Sequence, residues 1–298
     1  MSRRFYTLDV FTQTALAGNP LAVVLDSDGL SDHAMQAIAG EFNLSETVFV
    51  LPPKDPANRA ALRIFTPASE LPFAGHPTVG TAVLLALLDH QASASFGLEE
   101  KVGLVPCTAT RINDDKGEAV FTLPRLPERI ADTAPLPMIA EALGISVDEI
   151  GFDRHQPMIA SAGVGFNLIP LRSKDAVTRA SVQATNWSET FNAAGRPNVF
   201  VYTRETVEAG HQFHARMFAP HLGIGEDPAT GSAVAAFVRA FVDFEALSDG
   251  THRIIIEQGY AMGRPSQITL DVDLADGELK AARIGGSAVI ISEGRLRV

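Results

Sequence analysis

Two short stretches of this chain place a titratable residue directly before a proline and then open an apolar run. Gly75-His76-Pro77-Thr78-Val79-Gly80-Thr81-Ala82-Val83 returns as Glu226-Asp227-Pro228-Ala229-Thr230-Gly231-Ser232-Ala233-Val234. The copies share Pro, Gly, a hydroxyl residue, Ala and Val at the same offsets. Phe65-Thr66-Pro67 precedes the first and Phe218-Ala219-Pro220 the second. Proline is favoured in a first helical turn, where its missing N–H would have had no partner. His76 and Asp227 are therefore expected at or just before a helix N-cap. Such a helix end offers unpaired N–H groups and the positive end of the macrodipole. Two of them facing one another would suit a small anion, most simply a carboxylate.

The halves also differ. Aligning Val48-Phe49-Val50 with Val199-Phe200-Val201 sets Glu46 opposite Pro197, so one side alone carries a carboxylate. Beside a bound carboxylate substrate, Glu46 is the candidate for a single acid/base. A free Glu titrates near ~4.3, below the range in which it exchanges protons best at neutrality. Ser232 is not in a Gly-x-Ser-x-Gly elbow, so a ligand-binding or capping hydroxyl is expected there. His211 and His214, three apart on an expected strand, fall on opposite faces, which is poor geometry for a shared metal. No metal site is expected, since no His-Glu-x-x-His or Cys-x-x-Cys pattern occurs.

These residues need elements to hold them. Strands are expected at Phe5–Phe11, Leu21–Leu25, Glu46–Leu51, Ala60–Phe65, Lys101–Cys107 and Glu118–Leu123. Ser31 is placed to cap a helix through Phe42, and helices follow at Pro77–Leu88, Pro137–Leu143 and Pro228–Phe241. In the second half, strands are expected near Met158–Ser161, Phe166–Leu171, Asn198–Thr203, His211–Phe218, Arg253–Gln258, Gln267–Val272, Leu279–Ile284 and Ala288–Ser292. The proline-rich Pro124 to Pro137 reads as a crossover between halves. Both long helices are nearly all apolar, so each must be buried. That pattern describes an α+β chain of two halves, each a mixed sheet curled around a central helix. The expected division is 1–124 plus 285–298, carrying Glu46 and His76, against 125–284, carrying Asp227 and Ser232.

The chain has 298 residues, enough for two domains, and 46% of them are hydrophobic. A formal charge of -11 argues against a nucleic-acid surface. The single cysteine, Cys107, suits a reducing compartment and precludes chemistry with two thiols from one chain. The N-terminal residues lack a signal-peptide h-region and no apolar stretch is long enough for a bilayer. A cytoplasmic setting without membrane or nucleic-acid partners is expected.

Several blocks together resemble the PhzF-like phenazine-biosynthesis family, of the diaminopimelate epimerase-like fold. They are Gly18-Asn19-Pro20, Asn43-Leu44-Ser45-Glu46-Thr47, Phe65-Thr66-Pro67, Glu70-Leu71-Pro72-Phe73-Ala74-Gly75-His76-Pro77, Glu226 to Ala233, and Gly263-Arg264-Pro265-Ser266. The resemblance implies an active site in the cleft between pseudo-symmetric halves and a cofactor-independent isomerase of a small carboxylic acid. The family's best-known activity isomerises a dihydro-hydroxyanthranilate, and the glutamate matching Glu46 is its acid/base. The resemblance further implies that His76 and Asp227 contact substrate and that Gly231 and Ser232 hold its carboxylate. Gly75 and Thr230 belong to the same helix mouths and join the expected binding set. In racemase relatives on this fold two cysteines stand at the mouths. Here His76 and Asp227 take those places, which disfavours a thiol racemase. A homodimer is implied by the family's habit. A carboxylate-binding protein without turnover is the competing reading, and behind it come an amino-acid racemase and a Ser232 hydrolase.

Overall fold

The computed structural model describes residues 2–183, 185–195, 197–222 and 224–298. The chain forms two compact units, 1–124 with 283–298, and 125–282.

The first unit contains β1 (Ser2–Val10), β2 (Asn19–Val24), α1 (Asp32–Phe42), β3 (Glu46–Leu51), β4 (Ala60–Phe65), β5 (Glu70–Leu71), α2 (Gly75–Leu88), β6 (Ser93–Glu100), β7 (Gly103–Arg111) and β8 (Lys116–Thr122). The second holds β9 (Glu128–Ala131), α3 (Leu136–Leu143), β10 (Met158–Ser161), β11 (Gly165–Pro170), α4 (Lys174–Arg179), α5 (Trp187–Phe191), β12 (Val199–Thr203), β13 (Phe213–Ala219), β14 (Ile224–Asp227), α6 (Gly231–Phe244), β15 (Gly250–Gln258) and β16 (Ser266–Ala275). The last strand, β17 (Glu278–Arg297), begins in the second unit and continues through the first.

Strand pairing in the first unit closes on itself. The ladder runs β1, β2, β3, β4, β6, β7, β8, β17 and back to β1. Two of its pairs, β2 with β3 and β4 with β6, are parallel. Parallel neighbours require a crossover, and α1 and α2 provide it. α1 is amphipathic and covers the outside, its Met35, Ile38 and Ala39 packing on Phe49 and Phe65. Ser31 caps it by accepting from the Ala34 N–H. α2 is apolar on every side and lies inside, with every residue from Gly75 to Leu87 buried. Gly80 allows this fit, because a Cβ there would lie 2.6 Å from Leu21 Cδ2 and 2.7 Å from Val10 Cγ2.

The second unit repeats the scheme. Its ladder runs β9, β10, β11, β12, β13, β15, β16, with parallel pairs at β11–β12 and β13–β15. The first crossover carries α4 and α5, the second α6. α6 packs on β9, β10 and β11 and also on β16, so the sheet wraps round it. Its Phe237 is fully buried among Phe200, Tyr202 and Phe213, with ring centroids 6.1, 4.9 and 5.0 Å away. A second layer, α3, α4 and α5, packs on the outer face through Leu143, Val177, Trp187 and Phe191.

Three expectations need correction. Lys101 and Val102 form the turn of a β6–β7 hairpin, not a strand start; an unforeseen strand occupies 93–100. Val102 and Leu104 are 43% and 52% exposed, so their apolar character imitated a core strand. The proline-rich connection contains β9, which pairs with β10. The expected strands at 279–284 and 288–292 are one continuous strand, β17.

Truncating Phe237 to Ala removes a ring from a site with no room to collapse. The loss in urea unfolding free energy is expected to be about 3–5 kcal/mol. A loss below about 1 kcal/mol would contradict a close-packed centre around α6.

Candidate functional site

In the first unit, three of the sequence blocks meet. β2 and β3 run parallel with Leu21 opposite Glu46, which brings Pro20 beside the first residue of β3. α2 starts against them. His76 is its second residue, 4% exposed, and Nε2 lies 3.2 Å from Glu46 Oε2. The atoms are close, but no hydrogen bond of acceptable geometry joins them. The His76 ring bonds the Pro20 backbone, where proline leaves only a carbonyl to accept. With Nε2 unbonded, Nδ1 must be the donor to Pro20. Burial pushes the imidazole down to about 3, against the lesser upward pull of that hydrogen bond. His76 is therefore a neutral ring whose Nε2 lies beside the Glu46 carboxyl without bonding it. Glu46 itself is partly open, its side chain 15% exposed.

The expected N-cap role of His76 is not what the structure holds. Ala74 is the N-cap, extended at φ -153°, and no side chain caps the helix. Pro77 is the third helical residue rather than the first. Gly75 contributes the first N–H of that end.

The second motif is arranged differently. Asp227 ends β14, four residues before α6, and Thr230 is the N-cap, so Asp227 is no N-cap either. The Asp227 carboxylate accepts from the Thr230 hydroxyl. Gln258, fully buried at the end of β15, ties both residues down. Its Nε2 donates to the Asp227 carbonyl at 2.7 Å and to Thr230 Oγ1 at 3.1 Å, and its Oε1 accepts from the Thr230 N–H at 3.0 Å. Gly231 and Ser232 are the first two residues of α6. Gly259 follows Gln258 at φ +81°, and a Cβ there would meet the Arg264 carbonyl at 2.3 Å and that of Pro228 at 2.6 Å. The Gly263-Arg264-Pro265 block is thus the turn packed against this motif. Glu226 takes a two-pronged bond from Arg216, at 2.9 and 2.8 Å, and Arg216 also donates to three carbonyls at 177, 178 and 180. Glu226 anchors the motif.

His211 and His214 do not diverge as expected. His211 lies before β13, outside the alternation, and both Nδ1 atoms reach Glu257, at 2.8 and 3.0 Å. The Val207 and Glu208 N–H groups bind the same carboxylate. Burial opposes its ionisation, yet the two rings and two amides prevail and hold it at about 2. Among the described residues no set of three or more His, Cys, Asp or Glu is arranged to hold a metal ion. Cys107 is buried in β7, its thiol pushed far up by burial and then by Glu100.

Reasoning from sequence missed Pro20 as the acceptor for His76 and Gln258 as the clamp of the second mouth. The signal for Gln258 was a Glu-Gln pair closing an Ile-Ile-Ile strand. Polar residues so placed are either exposed or bonded to something specific.

Residues 8–294 match the family described as phenazine biosynthesis-like protein. The chain belongs to that family. It is 48% identical over 299 residues to an uncharacterized isomerase of Mesorhizobium japonicum, covering 99% of each chain. It is 33% identical over 294 residues to the trans-2,3-dihydro-3-hydroxyanthranilate isomerase of Pseudomonas aeruginosa, covering 98% of each. The solved Bacillus anthracis phenazine biosynthesis protein of the PhzF family superposes with a TM-score of 0.90 at 25% identity over 100% of both chains. A hydroxyproline epimerase from Agrobacterium vitis superposes at 0.62 with 12% identity, over 99% of this chain and 92% of that one, and shares the fold. This PhzF-like chain is therefore an isomerase of the α+β, diaminopimelate epimerase-like fold. No helix among its described residues is long and apolar enough to cross a membrane.

Neutral burial of His76 has a pH consequence. Its folded value lies below its ordinary 6.5, so between about 3 and 6.5 the unfolded chain binds the extra proton. This contribution is complete above pH ~6.5 and lost as pH falls, with a slope approaching ~1.4 kcal/mol per pH unit. Wild type minus His76→Phe stability, measured by urea unfolding from pH 7 to 4, should shrink steadily. A difference constant with pH would show that His76 binds its proton alike in the folded and unfolded chain.

Proposed function

We propose that this chain is a cofactor-independent isomerase of a small carboxylic acid, with Glu46 moving the proton. The reaction type we favour is that named for its Pseudomonas aeruginosa relative, the isomerisation of trans-2,3-dihydro-3-hydroxyanthranilate. The supporting observation is the contact of Glu46 with a neutral His76 fixed from behind by Pro20. The Glu46 carboxylate takes a proton from a substrate carbon, and the electron pair left behind delocalises into the substrate's unsaturated system. Glu46, now an acid, returns the proton at a second carbon and is again a carboxylate. A general acid/base of this kind contributes typically 10²–10⁴-fold.

Asp227 is assigned the orientation of the substrate. Gly75, Thr230, Gly231 and Ser232 are assigned the grip on its carboxylate. These roles follow the resemblance and the physics of helix N-termini, where N–H groups and the dipole favour an anion. A homodimer and a cytoplasmic setting belong to the same reading.

Proton NMR in D2O with trans-2,3-dihydro-3-hydroxyanthranilate and other small carboxylic acids tests it. Wild type should exchange deuterium into one substrate carbon, and Glu46→Gln should do so about 10²–10⁴ times more slowly. Undiminished exchange in the variant would assign the proton to another residue. Line broadening without exchange for every acid would mark a binding protein.

A further inference from the structure

One buried carboxyl of the first unit takes no part in that chemistry. Glu100 ends β6, is 8% exposed, and points Oε1 at Thr78 Oγ1, 2.7 Å away. Thr78 Oγ1 is also 2.8 Å from the carbonyl of Ala74, the N-cap of α2. A hydroxyl has one hydrogen and a carbonyl has none. If Thr78 donates to an ionised Glu100, its oxygen is left against the Ala74 oxygen with no proton between them. Both short contacts are satisfied when Thr78 donates to Ala74 and Glu100 donates to Thr78.

We propose that Glu100 is a positioning residue: as a neutral carboxylic acid it donates to Thr78, which frees the threonine's hydrogen to hold the Ala74 carbonyl and so fix the first turn of α2, with Gly75 and His76. Loss of the Glu100 proton turns the carboxyl into an acceptor only. The Thr78 hydrogen then swings to it, and the Ala74 carbonyl loses its side-chain donor.

The surroundings favour the neutral form. No cation pairs with Glu100 among the described residues, and Oε2 is buried without a hydrogen bond. α2 presents the Thr78 hydroxyl, and β7 presents the Cys107 thiol, itself held protonated. On its own strand Glu99 is bound to the Lys54 and Asp55 amides and to Asn58, and the adjoining Lys101 pairs with Glu70. Burial outweighs the Thr78 bond and pushes the carboxyl up to about 8. The geometry of the mouth, and any activity that depends on it, is therefore set to fail on the alkaline side.

The activity arm rests on the isomerase reading, and a second arm does not. In 15N-labelled wild type, the amide signals of residues 75, 76 and 78–80 should shift with one midpoint near 8 between pH 6 and 10. Proton exchange on substrate should fall about tenfold per pH unit above that midpoint. In Glu100→Gln the amide group supplies a donor that does not titrate, so both transitions should vanish while the neutral-pH signals keep their positions. An unaltered transition in this variant, or none in wild type, would overturn the proposal. Thr78→Val is the second variant, keeping the shape without the hydroxyl. Its mouth amides should no longer follow the Glu100 titration, and persistence of the transition there would refute the link. Expected amide shifts with no exchange at any pH would sink the isomerase reading and leave the role of Glu100 standing.

Discussion

A helix enclosed on all sides cannot leave its first N–H groups to bulk water. That constraint governs both units. α2 lies within a closed ring of strands and α6 within a wrapped sheet, so each N-terminus must find its partners inside the protein or in a ligand. The two mouths meet this need differently. At α6 the work is done by side chains, with Gln258 lacing Asp227 to Thr230. At α2 the cap is an alanine, and the side chains nearby are turned to other atoms: His76 to Pro20 and Glu46, Thr78 back to Ala74. Side chains fix the approach to α6, whereas the N-cap of α2 is an alanine with no side-chain bond to offer.

Burial alone does not fix the charge of an acid here. Glu257 is fully buried and stays ionised, because two histidines and two backbone amides donate to it. Glu100 is almost as deep, has one hydroxyl neighbour, and holds its proton. The donors that reach each carboxyl set the outcome against desolvation: two rings and two amides at Glu257, one hydroxyl beside Glu100. The same logic makes His76 neutral: its partners are a carbonyl and a contact without hydrogen-bond geometry, too little to offset its desolvation.

Much of the frame was legible in the sequence. The duplicated motif announced two related units, and all-apolar helices announced that each would be central. The asymmetry of Glu46 against Pro197 singled out the residue that now stands beside His76. The finer errors share a cause, which is that local pattern does not record who the partner is. Proline is tolerated anywhere in a first turn, so Pro77 and Pro228 did not locate the caps, and His76 and Asp227 came out at unlike positions. Exposed Val102 and Leu104 passed for core residues. His211 was assigned a strand face although it precedes the strand. Glu100 and Gln258 are ordinary polar letters until the chain folds and a hydroxyl or a carbonyl arrives opposite them.

The long final strand carries a consequence for how the molecule is made. β17 sits between β1 and β8, pairing Phe5 with Gly294 and Phe121 with Ile284. During vectorial synthesis the first unit emerges early but remains a split barrel, with two unpaired strand edges and an unsealed apolar interior. The second unit, whose segments are contiguous, can condense meanwhile. Only when β17 leaves the ribosome does the seam close around α2, so the unit begun first is finished after the second. Edges left waiting in this way are prone to wrong pairing. A nascent chain of this design depends on how soon β17 arrives.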